Sequence, residues 1–251
     1  MQEKGFQIYP LDVGTVTGFD KSLFTLRENQ GVKIDVPCLA WVVTDGEQTV
    51  LVDTGPCDPR WAAKYHRPLS KTPAQETAQA LAKIGLRGDR IGLIIFTHLH
   101  WDHCFNLELF PTAAFYVQKR ELDYAVNPLT ADRRAYEAGI PGIVPPWRAV
   151  ADRIVAVEGG REIFPGVSVL PLPGHTPGSQ GVVVETADGP WIIAGDTVPL
   201  YENWGDGLER IPNGIYQDLF AYEATLTRLT PFGPRLLPGH DPRVTERPVY
   251  P

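Results

Sequence analysis

Thr97-His98-Leu99-His100-Trp101-Asp102-His103 is the stretch on which the reading of this chain turns. Three imidazoles and a carboxylate fall between positions 98 and 103, a costly concentration of polar groups unless something positive holds them together. Borderline metals such as zinc accept imidazole nitrogen and carboxylate oxygen in one coordination sphere, which suits this set. The spacing supports that chemistry. His98 and His100, two apart at a strand end, can point the same way and reach one ion, while Asp102 and His103 come off the following turn and can face a neighbouring one. Gly92 to Phe96 (GLIIF), immediately upstream, is a short apolar run with β-branched residues and predicts an interior strand that delivers the chain into the motif.

Of the six histidines, five lie in three short turn-like segments; His66 alone does not. The second segment is Pro173-Gly174-His175-Thr176-Pro177-Gly178-Ser179, rich in turn residues after a strand signal at Val167 to Leu172. The third is Pro238-Gly239-His240-Asp241, after a short strand at Arg235 to Leu237. Gly195-Asp196-Thr197 follows another strand signal, Trp191 to Ala194, in the same manner. Further strands are expected at Val50 to Val52, before Asp53-Thr54-Gly55, and at Gly181 to Glu185, with Asp188-Gly189 as a hairpin turn. Helices are expected from Thr72-Pro73 to Gly85 and from Gln217 to Leu229, each with an apolar stripe. Leu51-Val52-Asp53-Thr54 and Ala194-Gly195-Asp196-Thr197 echo one another, each a strand ending in Asp-Thr.

The ligand pattern resembles the metallo-β-lactamase superfamily, and the resemblance runs from Asp53-Thr54-Gly55 to His240. It implies an α/β fold, an αββα sandwich of two stacked mixed sheets with helices on both outer faces. It also implies two divalent metal ions per chain, with zinc as the first expectation. By the same resemblance His98, His100 and His175 would hold the first metal, and Asp102, His103 and His240 the second. Asp196 would bridge them with a hydroxide between the ions, and Asp53 would support the site from behind.

Redox di-iron members of the same fold carry a glutamate where this chain has His100, and antibiotic-degrading members with a cysteine ligand have it where this chain has Asp196. Glyoxalase-like thioesterases usually follow the motif with Gly-Gly, where this chain has Cys104-Phe105-Asn106. Within the superfamily the sequence is most similar to the N-acyl-homoserine lactonases, through Val36-Pro37-Cys38-Leu39-Ala40-Trp41, Glu202-Asn203 and Gly214-Ile215-Tyr216. Alignment on Glu202-Asn203 puts Pro199 where those lactonases carry a tyrosine that hydrogen-bonds the lactone. Tyr201 is then the nearest candidate donor to a substrate carbonyl, and Asp102 a candidate proton donor to the leaving alkoxide as well as a ligand.

The expected activity is hydrolysis of a lactone or carboxylic ester of a small molecule. The alternatives are a small-molecule phosphoesterase or thioesterase of the same fold, or a non-catalytic metal-binding scaffold. A net charge of −7, with acids and bases interspersed, argues against a protein that wraps nucleic acid. No stretch approaches the roughly 18 to 20 apolar residues needed to span a bilayer, and the start MQEKGFQIYPLDVG lacks a leader pattern, so no membrane partner and a cytoplasmic location are expected. Cys38, Cys57 and Cys104 are an odd number at no zinc-knuckle spacing and are expected to be reduced and structural, with Cys104 beside the motif the one to watch. Residues 1–251 are read as a single hydrolase domain. The Pro-, Gly- and aromatic-rich segment at about 127–148 is read as a lid or pocket wall, and Trp101, Phe105, Tyr116 and Trp147 as candidates for an apolar wall.

Overall fold

Strand β2 (Lys33–Thr44) buries both of its faces, and the two faces belong to different cores. Val36, Cys38, Ala40 and Val42 point into one apolar cluster, and Leu39, Trp41 and Val43 into another. This follows from the period of two along a strand, and it makes β2 an interior strand of an interior layer. In the computed structural model, which describes residues 5–205 and 210–251, β2 lies inside a seven-stranded mixed sheet. The first four residues of the amino-terminal stretch read above lie outside the described range.

The other strands of that sheet are β1 (Gln7–Asp20), β3 (Thr49–Val52), β4 (Leu69–Ser70), β5 (Leu93–Ile95), β6 (Ala114–Gln118) and β7 (Ile154–Val157). Their order is β4-β1-β2-β3-β5-β6-β7. A second, five-stranded sheet has the order β12-β11-β10-β9-β8, from β8 (Arg161–Phe164), β9 (Val167–Pro171), β10 (Gln180–Thr186), β11 (Gly189–Gly195) and β12 (Leu236–Pro238). Val50, Val52 and Ile95 from the large sheet meet Val169, Val182, Val184, Ile193 and Leu237 from the small one, which makes the middle core. On the outer face of the large sheet, Leu51, Ile94 and Phe115 pack with residues of α1 (Pro59–Tyr65), α2 (Thr77–Lys83) and α3 (Lys119–Val126). On the outer face of the small sheet, Tyr222, Leu226 and Leu229 of α4 (Leu219–Leu229) cover Ile192, Ala194 and Leu236. The layers are therefore helix, sheet, sheet, helix, as the sequence implied. Each fully buried Leu, Ile or Val in these three cores contributes roughly 1.5–3 kcal/mol.

The expected strands and helices are present, with shifted ends. The first expected helix opens as a 3-10 turn, Pro73–Gln75, and becomes α-helical only from Thr77. The Asp188-Gly189 hairpin is present, Thr186 pairing with Gly189 across the β10–β11 turn. The segment at about 127–148 has no strand or α-helix; it continues into a 3-10 stretch, Pro146–Arg153. No helix of the described residues is long and apolar enough to cross a membrane.

Strand direction positions the site. β3 runs parallel to β5, and β11 runs parallel to β12. The chain leaving β3 reaches Asp53, that leaving β5 reaches His98, that leaving β11 reaches Asp196, and that leaving β12 reaches His240.

Candidate metal centre

The loops that follow β5, β9, β11 and β12 turn their donor side chains inward, and Asp53, after β3, holds part of the set from behind. Asp53 has a left-handed backbone (φ 57°) and is fully buried. The Thr97 amide donates to its Oδ1 and the Thr97 hydroxyl to its Oδ2, each at 2.8 Å, and His103 Nδ1 lies 2.8 Å from Oδ2. A carboxylate only accepts, so His103 carries a proton on Nδ1 and turns Nε2 to the opposite side. His98 Nδ1 lies 3.0 Å from the Thr97 hydroxyl oxygen, which continues the chain to Asp53. His175 Nδ1 donates to the Ile215 carbonyl at 2.9 Å, and His240 Nδ1 to the Pro37 carbonyl at 2.7 Å. Four imidazoles thus present Nε2 inward. His100 presents Nδ1, 3.3 Å from His175 Nε2, which is itself 3.3 Å from His98 Nε2.

Unprotonated ring nitrogens at that separation repel unless a cation sits among them. Three overlapping clusters of donor atoms result, each within 4.8 Å: His98, His100 and His175; Asp102, His103 and His240; and His98, His103 and Asp196, which joins the other two. Asp196 lies between the first two. Its Oδ1 is 3.2 Å from His103 Nε2 and 3.0 Å from His240 Nε2, while its Oδ2 is 3.7 Å from His175 Nε2. His103 Nε2 and Asp196 Oδ1 are buried yet lack any partner in hydrogen-bonding geometry. Asp102 is the most open of the seven and stands 3.8 Å from both His103 Nε2 and His240 Nε2.

The charges ask for a cation in the same place. Burial, then the neighbouring imidazoles, push His98 and His100 well below their ordinary range, leaving lone pairs free. Burial also opposes a proton on His103, but Asp196, Asp102 and Asp53 outweigh it and hold this group well above its usual value. Burial would raise Asp196, yet His240 and His103 bring it well below the usual carboxylate range. The donor set therefore fits divalent metal ions, whose binding needs neutral imidazole and ionised carboxylate.

Two glycines are fixed by close approach. A Cβ on Gly239 would sit 2.6 Å from Asp196 Oδ1, and one on Gly174 would sit 2.5 Å from the Tyr222 Cα. Glu121, on α3, was not legible as a site residue. It is fully buried and receives the Leu99 amide at 3.0 Å, the Tyr136 hydroxyl at 2.6 Å, the Thr176 hydroxyl at 2.6 Å and the Gly178 amide at 3.2 Å. One carboxylate thus ties the 98–103 loop to the 173–179 loop and to the 127–148 segment, whose Tyr136 stands edge-on to His100. Burial pushes its carboxyl up against these hydrogen bonds. No local pattern around Lys119-Arg120-Glu121 announces that role, because its partners are 15 to 57 residues away.

Tyr201 lies elsewhere. Its neighbour Leu200 enters the core beneath the helices, so Tyr201 is turned to the inter-sheet side. There its ring lies under the Arg243 guanidinium at 4.8 Å, and burial, then the nearby Tyr250, pushes the phenol up. It is not among the residues lining the metal cavity. Phe105, Tyr116 and Trp147 pack with the cores and not on that cavity, and Trp101 alone of the four aromatic candidates lines it. Cys104 is buried with its thiol toward the Leu99 carbonyl, and burial pushes it far from the reactive range.

The cavity over the metal centre measures about 360 Å³, near the lower end of small-molecule sites. Its walls combine His100, Asp102, His175, Asp196 and His240 with apolar Val16, Phe19, Phe24 and Ile215. The 127–148 segment supplies Ala131, Asp132, Arg134 and Ala135, and the loop after α1 supplies His66 and Arg67.

Among proteins of known activity, the chain is 27% identical over 263 residues to the N-acyl homoserine lactonase AiiB of Agrobacterium fabrum, covering 94% of each chain. It is 27% identical over 186 residues to an N-acyl homoserine lactonase of a Bacillus species, covering 69% of each. In structure it is similar to Bacillus thuringiensis AiiA with N-decanoyl-L-homoserine at the active site, with a TM-score of 0.77, 22% identity and coverage of 97% and 96%. It is also similar to AidC, a dizinc quorum-quenching lactonase, with a TM-score of 0.71, 18% identity and coverage of 96% and 90%. The sequence model of the metallo-beta-lactamase superfamily matches residues 34–240, and with the layered fold and the ligand clusters in place, the chain belongs to that superfamily.

Proposed function

We propose that this protein is a metal-dependent hydrolase that opens lactones or cleaves carboxylic esters of small molecules, with residues 1–251 working as one unit. The observation that carries the proposal is the convergence of seven donors from four loops, His98, His100 and His175 beside Asp102, His103 and His240 with Asp196 between, five of which line one cavity. In this reading the two sets would hold two divalent ions, with Asp196 within reach of both. Zinc is the ion best matched to five imidazoles and two carboxylates. Such a pair supplies Lewis acidity toward a carbonyl oxygen and brings the pKa of a coordinated water to about 7.

The chain's own residues do the rest. The Asp53, Ile215 and Pro37 acceptors fix the tautomers of His103, His175 and His240, so the inward nitrogens are ready to coordinate. The wall of Val16, Phe19, Phe24 and Ile215 excludes water from one side of the substrate. Asp102, more open than Asp196, would return the proton taken from the attacking water to the departing alkoxide. The names of the sequence relatives, N-acyl homoserine lactonases, support a lactone or ester over a phosphoester. Three unpaired, buried cysteines fit a reducing compartment, which we take to be the cytoplasm.

The test is a panel of lactone, carboxylic ester, thioester and phosphodiester substrates, run on zinc-loaded and chelated protein. Lactone or ester turnover that disappears on chelation is expected. Turnover confined to phosphodiesters or thioesters, or surviving chelation, refutes the reading.

A further inference from the structure

We propose that Arg67 and Arg134 form an anion-binding subsite on the wall of the metal cavity, and that the substrate carries a carboxylate remote from the carbonyl to be attacked. This rests on the hydrolase reading above and narrows it from lactones or esters in general to anionic ones. Both arginines line the same cavity as His100, Asp102, His175 and Asp196. They come from distant parts of the chain yet stand together, because Arg134 Nε donates to the Tyr65 carbonyl at 2.9 Å, two residues before Arg67. The Arg67 guanidinium lies 5.1 Å above the Phe19 ring, on the apolar wall.

The backbone between them is held firmly. His66 Nε2 is 2.7 Å from Glu137 Oε1, which also accepts from Trp61 Nε1 at 2.5 Å, and the His66 ring stacks on Trp101 at 4.5 Å and 5°. Trp101 precedes Asp102, so the arginine side of the wall is tied to the metal loop itself.

Neither guanidinium has a carboxylate within ion-pair distance among the described residues. The acid nearest in sequence, Asp132, is engaged through both oxygens, with the Tyr124 hydroxyl on one and Gln217 Nε2 at 2.7 Å on the other. In a chain of net charge −7, these two cations line the same cavity as the candidate ligands. A guanidinium pair matches a carboxylate in shape and charge. Phe19, Phe24 and Val16 leave an apolar stretch between this end and the metal centre, so the ligand has two polar ends joined by a short hydrocarbon spacer. A neutral acyl chain would leave both guanidinium groups to solvent.

The experiment compares 4-nitrophenyl hydrogen glutarate with 4-nitrophenyl valerate on zinc-loaded wild type and on Arg67→Gln/Arg134→Gln. The wild type is expected to favour the acid ester, and the ratio of kcat/KM for acid over neutral ester is expected to fall at least about tenfold in the double variant, mainly through KM. Added salt should lower the same ratio in the wild type. Arg67→Lys/Arg134→Lys, which keeps the charge, should retain most of the preference. In parallel, calorimetric titration should show glutarate binding more tightly than butyrate to wild type, an advantage lost in the Gln variant. An unchanged ratio, or equal losses in the Lys and Gln variants, overturns the subsite. If neither ester is hydrolysed, the lactone panel decides the hydrolase reading, and the glutarate titration separately decides whether the arginines bind an anion.

Discussion

Asp53 and Asp196 both end a strand in Asp-Thr, yet their carboxylates face different tasks. Asp53 is spent on Thr97 and on His103 Nδ1, and it reaches the cavity only through them. Asp196 stands among His103, His240 and His175 with one buried oxygen unpartnered. Asp196→Ala is therefore expected to lose metal from both sets and nearly all activity. Asp53→Ala should weaken metal binding about 10- to 100-fold, the usual cost of removing a partner behind a ligand. Metal content by elemental analysis, with kcat/KM on the best lactone or ester, separates the two; equal losses in folded, fully metallated variants mean the bridge is misassigned. Tyr201 is expected to be silent in catalysis. Its phenol lies beside Tyr250 and under Arg243, away from the cavity, so Tyr201→Phe should change kcat and KM by less than about twofold, far short of the roughly 2–4 kcal/mol that loss of an oxyanion donor costs. A drop of a hundredfold in steady-state turnover would place that hydroxyl in the reaction after all.

Glu121 is where one element acts on several loops at once. The α3 helix carries it beneath the 98–103 and 173–179 loops, and its four donors come from Leu99, Tyr136, Thr176 and Gly178. Glu121→Gln removes one acceptor oxygen and sets an NH2 group against donors, so zinc affinity is expected to fall by about tenfold or more, measured by chelator competition, while the far-ultraviolet circular dichroism is unchanged. Wild-type affinity in that variant would mean the loops hold their shape without it. Elements whose signals are local were readable in advance. The apolar runs of β10 and β11 about the Asp188-Gly189 turn, the Gly after α2 and the run before His98 each carry their cause within a few residues. The long β1–β2 hairpin was missed because its strand signal is broken by bulges at Asp12/Gly14 and Val16/Phe19. The seven donors were readable for a different reason: each stands in a short turn whose residue types have few other uses. Glu121, His66, Arg67 and Arg134 were not, since ordinary charged residues acquire their roles only from partners brought close by the fold.

Across the whole molecule the centre is a seam. Asp53 and His98 follow strands of the large sheet, and Asp196 and His240 follow strands of the small one, so donors from both sheets meet at one end of the sandwich. The middle core of Val52, Ile95, Ile193 and Leu237 holds the sheets together along their length. At the end where the site sits, apolar packing gives way to converging imidazoles and carboxylates, which protons or a metal cation must hold together. Gly239 shows how tight that seam is, since a methyl group there would reach within 2.6 Å of Asp196 Oδ1. Metal binding should therefore stabilise the entire fold and not only the loops. An ion present at a thousand times its dissociation constant contributes about 4 kcal/mol. For a chain of this size each kcal/mol moves the melting temperature by roughly 2–4 °C. Stripping the protein with a chelator should thus lower Tm by about 8 to 16 °C for each ion lost, and adding back zinc should restore it. Differential scanning calorimetry at matched protein concentration makes the measurement, and elemental analysis of the same sample should give close to two metals per chain. A Tm that does not move while the metal leaves would mean that the two sheets close without the cation, and that the crowding of His103, His240 and Asp196 is relieved by protons alone.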